Sequence, residues 1–218
     1  MEVFRRATAP VSLARKNSYK IKDVLDALFE DFFKKCYLCE QRIGGLTGKQ
    51  VDHRIPGAVD SNLKFEWKNL FPCCGPSDGC NQRRPDYPSA PSYPGKALLD
   101  PSLDPPEIMS RLVQSFQVIP EVKAIFVEKY PGDIVAQNTA EELRHIHDAH
   151  TLMGRAIVDA VHQQVTYILI LYSQLSTVTD PAEMALLQRK LKEELSRQAP
   201  FSTLVRSSVP NLSAYFPD

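Results

Sequence analysis

Long apolar runs are missing from this sequence. Its most apolar stretch, VTYILILY at 165–172, is far too short to cross a hydrocarbon core, which takes about 20 residues. No basic segment leading into an apolar run opens the chain, so a cytoplasmic protein with no membrane partner is expected. An excess of charge is missing too: 26 basic residues balance 26 acidic ones, leaving no whole-molecule field to draw the chain to a polyanion. Cysteine is scarce, and an odd set of five in a reducing compartment excludes a disulfide framework. No internal repeat and no low-complexity tract occurs. Trp67 is the single tryptophan and is expected in the core.

What is present is a chain of 218 residues, 43% apolar, long enough to bury a substantial core. The cancelling charges are unevenly spread. Residues 1–87 hold 15 Lys or Arg against 11 Asp or Glu, and residues 88–218 hold 11 against 15. The first part is compatible with a polyanionic partner, though four charges alone carry no weight.

Apolar residues at Ile21, Val24, Leu25, Leu28, Phe29 and Phe32 have helical spacing and predict a helix over 18–35 that delivers the chain to Cys36. QRIGGLTGK reads as a turn between two β segments. Residues 85–106 are dense in proline and predict an irregular connector. EVKAIFVEKYPGDIVAQN reads as two short strands about a Pro-Gly-Asp turn. Residues 139–176 predict a long helix or a broken pair, and Asp180 caps a further helix with Pro181 at its first position. We expect one compact unit with two regions, 1–104 around the cysteines and a mainly helical 105–218.

Cys36 and Cys39 have the two-residue gap that lets two thiolates bend round one tetrahedral ion. Two of Cys73, Cys74 and Cys80 would complete a four-sulfur site, with GPSDG making the longer second gap tight. Soft thiolates in that array suit Zn2+ as a structural ion. Between the pairs stand Asp52, His53 and Asn69, and Asn81 follows Cys80 directly. These are tools of metal-assisted phosphodiester hydrolysis. Asp52 and the Asn81 carbonyl can offer oxygens to a hard cation, Mg2+ or Mn2+. A neutral imidazole can take a proton from the attacking water, which makes His53 the candidate general base, and Asn69 can hold its loop in place. Arg54, Lys64, Lys68, Arg83 and Arg84 flank these residues and can grip phosphates. His145, His147 and His150 lack the glutamate of a zinc-helix motif and read as structural or surface residues.

These pieces resemble the zinc-stapled HNH, or ββα-metal, nucleases: Cys36 and Cys39, Asp52-His53 with Pro56, Asn69-Leu70, then Cys74 with Cys80-Asn81. KKCYLCE, EWKNL, CNQRR and LLDPSLDPP are similar to the HNH subunit of Septu-type bacterial anti-phage systems, over roughly residues 17–104. The resemblance implies an α+β fold, a zinc-stapled ββα-metal (HNH) finger embedded in a mainly α-helical chain. It implies that Asp52 and Asn81 bind the catalytic metal, that His53 activates water and that Asn69 orients the loop. The zinc ligands it implies are Cys36, Cys39, Cys74 and Cys80, with Cys73 left as a spare thiol and a rival to Cys74. Arg84 stands where relatives carry lysine and keeps the charge. The implied activity is metal-dependent endonucleolytic cleavage, with DNA as substrate and an ATPase subunit of the same defence system as partner. A non-catalytic zinc module that binds nucleic acid or protein is the alternative.

Overall fold

Apolar residues at helical spacing produce α1 (Lys22–Asp31) in a computed structural model of the chain, which describes residues 7–44, 49–57, 60–75, 79–83, 97–103, 107–118 and 121–217. Val24, Leu28 and Phe29 form its buried stripe. The helix is shorter than its pattern because Phe33 and Lys34 adopt left-handed backbone, with φ of 52° and 57°. A left-handed non-glycine residue costs on the order of 1 kcal/mol. Burial of Phe32 and the hydrogen bonds Lys34 N–H to Phe29 O (2.7 Å) and Ile43 N–H to Lys34 O (2.8 Å) offset that cost and turn the chain into a tight loop at Cys36. Within it, Cys36 N–H donates to Gln41 O and Glu40 N–H to Cys36 O, both at 3.0 Å.

Strand β1 (Lys49–His53) pairs antiparallel with β2 (Leu70–Cys74), setting Asp52 opposite Phe71 and His53 opposite Leu70. Pro72 is tolerated inside β2 because its carbonyl, and so its missing N–H, faces away from β1. That carbonyl accepts from Tyr37 N–H at 2.9 Å instead. Two short 3-10 turns, Ser61–Phe65 and Trp67–Asn69, connect the strands. A four-residue helix, α2 (Cys80–Arg83), follows and packs against both strands.

Beyond the proline-dense connector, most of which lies outside the described residues, come α3 (Glu107–Arg111), β3 (Leu112–Gln117) and β4 (Lys123–Glu128). β3 and β4 form the second two-stranded sheet. The expected second strand after Pro-Gly-Asp is instead the start of α4 (Ile134–Ile146). The reason is a cap: Asp133 Oδ1 accepts from Ala136 N–H at 3.1 Å, while Arg111 donates to both Asp133 oxygens, at 2.6 and 2.5 Å. β4 therefore finds its partner upstream, in residues whose pairing the pattern did not announce.

Three further helices follow, α5 (Leu152–Leu175), α6 (Pro181–Glu194) and α7 (Ser202–Ser208). Thr151 caps α5, so the 139–176 segment is a broken pair, and Asp180 caps α6 as expected, accepting Glu183 N–H at 2.9 Å. The chain divides into two compact units, Met1–Val113 with Phe126–Ile146, and Gln114–Ile125 with His147–Asp218. The boundary thus passes through the β3–β4 hairpin and again between α4 and α5. In the first unit Phe29, Phe32, Tyr37, Phe71, Leu98 and Phe126 are fully buried; in the second Val161, Ile168, Leu191 and Leu195 are. The fold is mixed helix and small sheets. Among the described residues no helix is long and apolar enough to cross a membrane.

Candidate functional site

The sulfur atoms of Cys36, Cys39, Cys74 and Cys80 all lie within 4.8 Å of one another. A tetrahedral zinc with bonds of about 2.3 Å sets its sulfurs about 3.8 Å apart, and Cys39 Sγ stands 3.9 Å from Cys74 Sγ. The donor set therefore fits a zinc ion. Cys80 N–H donates to Cys74 Sγ at 3.3 Å, as an amide does to a thiolate ligand. Gly79 makes the second gap tight: a Cβ there would lie 2.3 Å from the Cys74 carbonyl oxygen.

The pleat decides between the two rival thiols. Neighbouring residues of β2 leave on opposite faces, so Cys74 points to the cluster and Cys73 lies on the face shared by Phe71 and Asp52. Cys73 stays buried, its sulfur 3.9 Å from Cys36 Sγ, outside the group of four. Burial pushes the Cys36 thiol up, but hydrogen bonds from the surrounding thiols outweigh it and hold Cys36 well below the ordinary range. Hydrogen bonding with that sulfur then keeps Cys39 and Cys80 well above it. A divalent ion would pair with the thiolates that hold it.

On the Phe71 face, the Asp52 carboxylate is held at both oxygens. Oδ1 accepts the His53 backbone N–H at 2.8 Å, and Oδ2 accepts the hydroxyl of Tyr37. A carboxylate supplies the hard oxygen donors that a divalent cation takes, so the donor chemistry fits such an ion. His53 ends β1, with its ring edge-on to Tyr19 at 4.8 Å and Nε2 3.0 Å from Lys64 O. A carbonyl only accepts, so Nε2 carries the hydrogen and the basic lone pair belongs to Nδ1. Alternation sends the Asp52 and His53 side chains to opposite faces of β1.

Asn69 is buried and spans the loop that follows His53. Its Oδ1 accepts Ile55 N–H at 2.8 Å, and its Nδ2 donates to Ile55 O at 2.9 Å and to Leu63 O at 3.1 Å. Arg54 is tied elsewhere, donating to Leu98 O at 2.8 Å and lying 3.7 Å from the Asp100 carboxylate. Lys64 and Lys68 are exposed, and Asn81 is half-buried on α2. The side chain of Arg83 and all of Arg84 lie outside the described residues. Trp67 is buried, its indole N–H donating to Ala7 O at 2.9 Å. His145 sits at the end of α4, with His147 and His150 in the turn beyond, so the three do not share one helix face. Tyr37 is the contact that sequence reasoning missed, since neither periodicity nor motif marks where its hydroxyl reaches.

No protein-family model matches this chain, and no curated protein and no solved structure matches it.

Proposed function

We propose that this chain is an endonuclease of the HNH type, hydrolysing phosphodiester bonds of DNA with Mg2+ or Mn2+ and stapled by Zn2+ at Cys36, Cys39, Cys74 and Cys80. The observation that carries the proposal is the hydrogen bond from His53 Nε2 to Lys64 O, because it selects the tautomer in which Nδ1 carries the basic lone pair that a general base needs. Asn69 supports the same reading by bracing the peptide of Ile55, two residues beyond that base. Asp52 and Asn81 are the oxygen donors for the hard cation. Held by them, that cation supplies a Lewis acid for the phosphate. The products are 5′-phosphate and 3′-hydroxyl ends. Lys68, Arg83 and Arg84 take the flanking phosphates, and Arg54 serves the scaffold through Leu98 and Asp100.

The test is nicking of supercoiled plasmid by the purified protein with added Mg2+ or Mn2+. His53→Ala should lower the rate by about 100-fold or more, with zinc content and melting unchanged. A variant that cuts as fast as the parent overturns the mechanism.

A second reading, a non-catalytic zinc module that binds nucleic acid or protein, is favoured by one observation. Both Asp52 oxygens already accept hydrogen bonds, and the His53 ring leaves the opposite face of β1. Plasmid retention without any cation-dependent nicking would select it. The resemblance in sequence, rather than any contact in the fold, is what supports placing the nuclease in an anti-phage system beside an ATPase subunit. Mass measurement of the pair expressed together checks that placement, and a solitary active enzyme counts against it.

A further inference from the structure

We propose that Tyr37 is the positioning residue through which the cysteine loop sets the carboxylate of Asp52 for a divalent cation. The inference rests on the metallonuclease reading and adds a residue and a coupling to it. Tyr37 lies between two cluster thiols, Cys36 and Cys39, so the geometry of the sulfur site fixes its backbone on both sides. Its own N–H bonds to Pro72 O at 2.9 Å, anchoring the loop to the outer edge of β2. The ring is fully buried and stacks on Phe71 at 4.9 Å with a 39° tilt. A phenol has two side-chain dihedrals, and packing of this kind leaves neither free to move.

A phenylalanine would fill the same space, so the hydroxyl has a separate role. It donates to Asp52 Oδ2, across from Phe71 in the ladder, while the His53 backbone N–H takes Oδ1. Two hydrogen bonds at two oxygens fix the plane of the carboxylate, and that plane sets the direction from which a cation would meet it. One of these bonds comes from the strand itself. The other comes from the cysteine loop, which makes Tyr37 the link between the two metal centres.

The experiment is equilibrium binding of Mn2+ to the full zinc-loaded chain, read from the electron paramagnetic resonance signal of free Mn2+, with zinc content and thermal melting measured on each sample. Tyr37→Phe should weaken Mn2+ about 10-fold, in the range that loss of a partner to a metal ligand produces, without loss of zinc. Asp52→Asn should weaken it further, and adding Tyr37→Phe to Asp52→Asn should cause no additional change. Parent-like Mn2+ affinity in Tyr37→Phe beside a weakened Asp52→Asn overturns the role of Tyr37 and leaves the cation site standing. Parent-like affinity in Asp52→Asn overturns the nuclease reading and this inference with it. Should Tyr37→Phe shed its zinc, 4-aminophenylalanine at position 37 retains ring and donor. Parent-like Mn2+ binding is expected there, and weakened binding overturns the proposal.

Discussion

The two units of this chain are held together by different means. In the first, order comes from cross-links between irregular segments: four thiols at one point, Asn69 bridging Ile55 and Leu63, Arg111 gripping Asp133, and Arg54 reaching Leu98. In the second, order comes from a repeating stripe. Ile157, Val161, Val165 and Ile168 recur along α5 at helical spacing and are buried, as are Leu187 and Leu191 of α6, the helix that α5 packs against. Polar contacts add to it: Gln164 Nε2 donates to Glu194 Oε2 between α5 and α6, and Arg206 donates to Leu195 O at 2.7 Å and to Pro217 O at 3.2 Å over the Phe216 ring. Cross-links concentrate stability in a few atoms, so the first unit should fail abruptly at single residues. A stripe spreads it over many methyl groups, so the second should erode.

The largest break in this comparison is removal of a zinc ion held by the four thiols, for which their geometry fits. Chelation, or Cys39→Ser, should unfold the first unit, because a structural zinc contributes about 10 kcal/mol or more of folding free energy. Helical circular dichroism from α5 and α6 should survive. Joint loss of both signals would show that the units do not differ in the way described. Next comes Ile168→Ala in the core of α5, expected to cost about 2–5 kcal/mol in urea unfolding and to leave zinc content unchanged. Asn69→Ala should cost about 3 kcal/mol, since it leaves backbone groups of Ile55 and Leu63 without their partner. Asn69→Asp should not rescue it, because a carboxylate cannot donate to the two carbonyls.

The smallest effect concerns the cap of α4. Asp133→Asn keeps a capping oxygen but loses the ion pair with Arg111, and should cost about 1 kcal/mol or less in thermal melting at neutral pH. The Arg111 hydrogen bonds lower the Asp133 carboxyl below its usual range. Its contribution is therefore complete above about pH 4, the ordinary unfolded carboxylate range, and is lost as the pH falls through the lower folded value. Melting curves of parent and variant should converge below that point. A gap that persists into strong acid would assign the stabilisation to something other than the ion pair.

The same contrast explains which parts of the chain could be read from residues alone. The α5 stripe and the Asp180-Pro181 helix start were legible because helical periodicity and capping are local, within four residues of each other. Cys36 and Cys39 were legible because a knuckle also has a short signature. The α4 start was misread because YPGD fits a hairpin turn as well as a helix entry, and the distant Arg111 helps select the second. Arg54 looked like a phosphate ligand because nothing near it in sequence shows that Leu98 and Asp100 lie beside it.

Spacing and residue type alone therefore determined that soft ligands would gather at one point and that a helix would start at Asp180-Pro181. Tertiary structure decided that Cys74 rather than Cys73 closes the cluster, that Asn69 spans Ile55, and that the Tyr37 hydroxyl meets Asp52. The reason is physical: each of these depends on the pleat of β2 and on its register with β1 and the cysteine loop. Those pairings join segments more than ten residues apart, whose contacts leave no local periodicity behind.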